Sequence, residues 1–110
     1  MYILRDKPYG LIISTYETIE EAQSDIKIYE RMDRANGMYE EDFYEVVLGN
    51  LKLIREANEL TQLRLSELSG VKFRLIQDYE QGVKNIKKAP REIVEALSHV
   101  LNCKPEDILV

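Results

Sequence analysis

Residues 61–82 read TQLRLSELSGVKFRLIQDYEQG and hold two short helical patterns around one glycine turn. Thr61 stands where a helix cap is needed, since its hydroxyl can accept an orphan amide of the first turn, and the helix it opens has Leu65 and Leu68 as its apolar positions. Ser69-Gly70-Val71 makes the turn, where Gly70 takes a positive φ at little cost. The next helix follows at once, from about Lys72 to Gln81 with Ile76 and Tyr79 inward, and Gly82 stops it. Upstream, Leu51 to about Glu59 offers Leu51, Ile54 and Ala57 to a core. Downstream, Pro90 at a first helical position opens a helix with Ile93, Leu97, Val100 and Leu101 inward, and Pro105 opens a short fifth containing Ile108. Residues 50–110 are therefore predicted to form an all-α bundle of five helices. Two of them are joined by the short glycine turn that a helix-turn-helix requires.

The remaining residues differ in kind. Residues 1–49 carry 5 Lys/Arg against 11 Asp/Glu, a net −6, whereas residues 50–110 carry 10 against 9, and residues 72–91 alone carry 6 against 2. A short basic segment thus lies within a chain whose overall charge is −5. Six of the seven tyrosines also fall in the first half. Charge and aromatic content both shift near Leu48-Gly49-Asn50, which sets the expected boundary between a module 1–48 and a module 50–110. In the first, β-branched and aromatic residues at 2–5 and 11–16 flank Asp6-Lys7-Pro8-Tyr9-Gly10, a connector of hairpin length. Thr18-Ile19-Glu20-Glu21 is a capping-box sequence, with a helix expected from Ile19 to about Arg34 and the stripe Ile19, Ala22, Ile26, Tyr29. Asn36-Gly37 supplies the stop, and Phe43-Tyr44-Glu45-Val46-Val47 has strand composition, completing a ββαβ unit. The fold class expected is mainly α, the bundle preceded by this small module. About 48 residues bury too small a fraction of their surface to stand securely alone, so the module is expected to lean on the second module, a symmetry-related copy or another protein.

Composition excludes other classes. No apolar run exceeds four residues, against the roughly 20 that cross a bilayer. Met1 to Asp6 lack the pattern of a secretory signal, and a single cysteine offers no disulfide framework, so a cytoplasmic protein is expected. One histidine, one cysteine and no glycine-rich phosphate loop give no catalytic constellation and no cofactor site. His99 and Cys103 are four apart, but two ligands are too few for zinc; Cys103 is expected to pack as a small apolar residue. The dispersed tyrosines of an acidic module make no RNA platform.

Thr61-Gln62, Leu65-Ser66-Glu67, Gly70-Val71, Ile76, Tyr79-Glu80-Gln81-Gly82 and Leu97 with Leu101, in this order and without a gap from Gln62 to Gly82, resemble the Xre/Cro family, the cI-like helix-turn-helix domains of bacterial and phage repressors. The resemblance covers residues 50–110 and leaves the first module outside. It implies that the third bundle helix enters the DNA major groove and shows Lys72, Phe73, Arg74, Gln77 and Asp78 to base edges. Arg74 leads, because a guanidinium bridges guanine O6 and N7 with two hydrogen bonds. Gln62, at the start of the second helix, is implied to contact a phosphate, and Lys84, Asn85, Lys87 and Lys88 fall in a loop that clamps the backbone. Arg55 and Glu80 match a structural ion pair of the family.

Departures from the family pattern bear on function. Lys72 stands where Ser or Thr often caps the third helix, exchanging a cap for a phosphate-seeking charge. Phe73 either packs on a thymine methyl or folds back against the bundle. Asp78 either accepts from cytosine N4 or weakens the groove face, and the loop from Gly82 to Pro90 is longer than the family's. The resemblance implies a sequence-specific transcriptional regulator, a repressor acting as a homodimer on a pseudo-palindromic site in double-stranded DNA. A second reading is the antitoxin of a toxin–antitoxin pair, its acidic module binding a basic toxin while the helix-turn-helix represses the operon. Overall acidity and Asp78 keep open a third, in which the bundle binds protein. The acidic runs Glu20-Glu21 and Glu40-Glu41-Asp42 suit a solvated face first, with a basic partner site as the sharper alternative.

Overall fold

The chain folds as two units, Met1–Leu48 and Gly49–Val110, in the computed structural model, which describes residues 1–110. The first unit runs β1 (Tyr2–Asp6), β2 (Ile12–Tyr16), α1 (Ile19–Ala35), β3 (Tyr44–Leu48), the expected ββαβ order. The sheet order is β2-β1-β3 with both pairings antiparallel, so the first strand lies in the middle. Tyr2 stands opposite Tyr16 on one side and Leu48 on the other. Leu4 faces Ser14 while Arg5 faces Ile12, leaving Ile13 as the additional residue of a bulge on the edge strand. The β1–β2 connector is held by Asp6, whose Oδ1 accepts the Tyr9 amide at 2.8 Å and whose carbonyl accepts that of Gly10. This local Asx turn gives a nearly buried carboxylate its partner.

Thr18 caps α1, its Oγ1 accepting the Glu21 amide at 3.3 Å while its hydroxyl donates to the Glu21 carboxylate at 3.1 Å. The helix packs across all three strands, with Ala22 fully buried. Ile19, expected on the inward stripe, is partly exposed; the first residue of the helix lies at its open end. The inward face also carries two carboxylates. The Tyr16 hydroxyl of β2 donates to Asp25 at 2.6 Å, and the Tyr44 hydroxyl of β3 donates to Asp33 at 2.5 Å. Burial, then the bond to the neighbouring carboxylate, pushes each phenol up to about 12.

The second unit comprises α2 (Leu51–Ala57), α3 (Gln62–Ser69), α4 (Phe73–Gln81), a single 3-10 turn (Ile86–Lys88), α5 (Arg91–Val100) and α6 (Pro105–Ile108). This is the expected five-helix bundle. Asn50 and Thr61 cap α2 and α3 through the amides of Leu53 and Arg64, both at 3.0 Å. Leu51, Ile54, Leu65, Val71, Ile76, Val94, Leu97, Leu101 and Ile108 form its core, where α3 packs on α4 and α5. Three expectations shift. Leu68, placed with Leu65 on the inner face, is half-exposed: three residues fall about 60° short of a full turn, which carries it off the line of Leu65. Pro90 is the cap of α5 rather than its first residue, its carbonyl accepting from Ile93 and Val94. Leu97 and Leu101 are buried as expected, but Val94 and Ser98 complete the inner stripe of α5 while Ile93 and Val100 are only half-buried at its margin. No helix is long and apolar enough to cross a membrane.

Candidate nucleic-acid interface

The turn that sets α4 against α3 is built from small residues. Gly70, at φ +75, sends its amide to the Ser66 carbonyl at 2.9 Å, the Ser69 hydroxyl oxygen accepts the Val71 amide, and the Ser66 hydroxyl donates to the Val71 carbonyl at 2.6 Å. Val71 and Ile76 are thereby buried, which turns Lys72, Phe73 and Arg74 to solvent on the first turn of α4. Lys72 occupies the cap position and makes no side-chain capping bond. Phe73 is 39% exposed and Gln77 half-buried.

Arg74 and Asp78, one helical turn apart, are bonded. The Arg74 side chain is 83% exposed and its Nε lies 3.2 Å from Asp78 Oδ1; the Asp78 side chain is only 10% exposed, and its Oδ2 lies 4.0 Å from Lys84 Nζ. The Lys84 amide donates to the Asp78 carbonyl at 3.2 Å, closing the turn after Gly82. Asn85 uses its side-chain oxygen to accept the Lys87 amide at 3.0 Å, capping the 3-10 turn, while Lys87 and Lys88 are exposed. The long loop is therefore ordered by a local cap.

Behind α4 lies a second cluster. Glu80, 3% exposed, accepts from Arg55 Nε at 2.7 Å, from Arg55 Nη2 at 2.9 Å and from Gln62 Nε2 at 2.9 Å. Arg55 Nη1 donates to the Leu60 carbonyl at 2.7 Å. The bonds to Glu80 raise the arginine's pKa above its ordinary value. The network joins α2, α3 and α4. It also directs the Gln62 amide nitrogen inward to Glu80, leaving its oxygen without a bond inside the chain.

Of the residues singled out from the sequence, the structure gathers Arg74, Asp78 and Lys84 into one group and Arg55, Gln62 and Glu80 into another, with Lys72, Phe73, Lys87 and Lys88 exposed around the first. Sequence reasoning missed the Leu60 carbonyl as a partner of Arg55 and the shared contact of Asp78 with two cations. The second had a visible signal, since Arg and Asp four apart on one helix face each other. Elsewhere, no group of three or more His, Cys, Asp or Glu gathers as a metal site. Burial pushes the half-buried Cys103 thiol up to about 11. A family model described as helix-turn-helix matches residues 51–108. No match was found among curated proteins or among solved structures.

Proposed function

Given that the chain belongs to the Xre-type helix-turn-helix family of DNA-binding regulators, we propose that it is a sequence-specific transcriptional repressor. It binds as a homodimer to a pseudo-palindromic operator whose half-sites lie roughly 34 Å apart, one turn of the duplex. The observation that carries this reading is the exposed first turn of α4, with Arg74 extended from it and Lys84, Lys87 and Lys88 in the loop that follows. Arg74 reads a guanine edge, a contact that discriminates against other bases by about 1–3 kcal/mol. Lys72, Gln62, Asn85 and the three loop lysines hold the backbone and supply affinity without sequence information. Gln77 and Phe73 contact bases beside Arg74. A repressor of this kind works by occupying DNA that polymerase needs.

The test is binding of the purified chain to the DNA upstream of its own gene, against random competitor at two salt concentrations. Footprinted binding that survives physiological salt is expected, because contacts to phosphate alone fall steeply with salt. Arg74→Ala should abolish discrimination at one base pair with the fold intact. Lys88→Ala should weaken all sequences alike and flatten the salt slope by about 0.9. Binding that salt removes without sequence preference overturns the reading.

A second reading, the antitoxin, draws on a groove in the first unit lined by Ile26, Glu30, Tyr39, Glu41, Asp42 and Tyr44. Its aromatic walls and carboxylate rim suit a cationic side chain. A neighbouring gene for a basic protein, toxic when expressed alone, would favour it.

A further inference from the structure

We propose that Asp78 is a positioning residue for base recognition, acting through Arg74 rather than by touching DNA. The inference rests on the reading above that Arg74 contacts a base. Asp78 is nearly buried; its Oδ1 accepts from Arg74 Nε at 3.2 Å and its Oδ2 faces Lys84 Nζ at 4.0 Å, so both cations beside the carboxylate belong to its own chain. The Arg74 side chain, by contrast, is 83% exposed and has no other bond inside the chain. An unanchored arginine on a helix surface samples many rotamers. One bond at Nε selects the side of α4 along which the side chain lies and leaves the two terminal Nη groups, the end of the guanidinium fork, directed outward. That end can pair with guanine O6 and N7. Ordering a long side chain at an interface lowers affinity by about two- to twelvefold, and Asp78 meets that ordering cost before DNA arrives. Lys84, whose amide is tied to the Asp78 carbonyl, balances the carboxylate's charge from the other side.

Removing the carboxylate should therefore move two quantities in opposite directions. Random-sequence DNA should bind more tightly, since one negative charge facing a polyanion is gone. Discrimination at the base pair read by Arg74 should fall about two- to tenfold, since the arginine is no longer ordered beforehand. A residue with a merely structural role would weaken both.

The experiment uses the full chain. A preferred duplex is selected from a random-sequence library with the wild-type protein. Affinities for that duplex, its single-base-pair variants and a random duplex are then measured for Asp78→Ala and Asp78→Asn, alone and combined with Arg74→Ala. Asp78→Asn is isosteric and carries the measurement if Asp78→Ala does not fold. We expect either substitution to lower discrimination in the wild-type background and to leave it unchanged once Arg74 is alanine, while random-duplex affinity rises in both. In the free protein, the Arg74 Nε–H resonance should move toward the position of a solvated arginine when Asp78 becomes alanine. If Arg74→Ala leaves every base preference intact, or the wild type selects no sequence, the base-reading assignment fails and this inference with it. If Arg74→Ala removes a preference but the Asp78 variants do not, or do so equally without Arg74, the positioning role alone is overturned.

Discussion

Replacing Glu80 with alanine is expected to destabilise the helix-turn-helix unit by about 3–5 kcal/mol, the range for stranding one member of a buried ion pair. Three donors converge on this carboxylate, at 2.7 and 2.9 Å from Arg55 and 2.9 Å from Gln62, and it has almost no contact with solvent. Without it, the Arg55 guanidinium, itself 10% exposed, keeps the Leu60 carbonyl and a distant Glu56 at 3.9 Å, too little to offset its desolvation. Typical stability of roughly 0.05–0.15 kcal/mol per residue gives a unit of about 60 residues only 3–9 kcal/mol in all. The variant should thus lie near its unfolding threshold and lose DNA binding as the folded fraction falls. Urea unfolding followed by circular dichroism measures the loss, and hydrogen exchange of peptides from α2 and α4 assigns it to this unit rather than to α1. The double variant Arg55→Met, Glu80→Leu provides the decisive arm, since no buried charge is left unpaired and the cost should be smaller than for Glu80→Ala alone. A loss under about 1 kcal/mol for Glu80→Ala, or a double variant costing the sum of the two singles, would refute the reasoning.

Three further outcomes are expected. Gly70→Ala should cost about 1–2 kcal/mol in the same urea assay, because φ is +75 while an added Cβ meets nothing within 4 Å, so the penalty is confined to the backbone. Tyr16 and Tyr44 should ionise near pH 12, read as tyrosinate absorbance, and each of Tyr16→Phe and Tyr44→Phe should delete one high-pH step. Since both pKa values are raised in the folded state from 10.0, the stability they contribute is complete below pH 10 and lost as pH rises through about 12. Cys103, with its thiol pushed up to about 11, should react slowly with a disulfide reagent at pH 8 and quickly once urea unfolds the chain.

The features most legible in the sequence act over three or four residues. Thr18 and Thr61 cap the helices they were expected to cap, and Gly37, Gly70 and Gly82 take positive φ after α1, α3 and α4, because a hydroxyl or a missing Cβ needs only its immediate neighbours to have its effect. Less legible was anything decided by the far side of a contact. Leu65 and Leu68 are the same residue type on the same short helix, and which side of it α4 and α5 pack against separates a buried one from a half-exposed one. At the candidate interface, the exposure of Lys72 and Arg74 followed from the periodicity of α4. The second cation beside Asp78 was hidden because it depends on how closely Lys84 returns after Gly82, and loop length alone does not specify that. Sheet order was invisible for a similar reason, since alternation along a strand says which residues share a face and nothing about which strand lies next to it.

The central position of β1 ties the N-terminal unit to its order of synthesis. The strand is synthesised before both of its neighbours, yet it acquires its second partner only when residues 44–48 have followed, so the sheet closes late in its own translation. The same arrangement makes the two ends of this unit unequal. Trimming β3 would remove an edge and leave a hairpin, whereas trimming Tyr2–Asp6 would leave two strands that never touch one another.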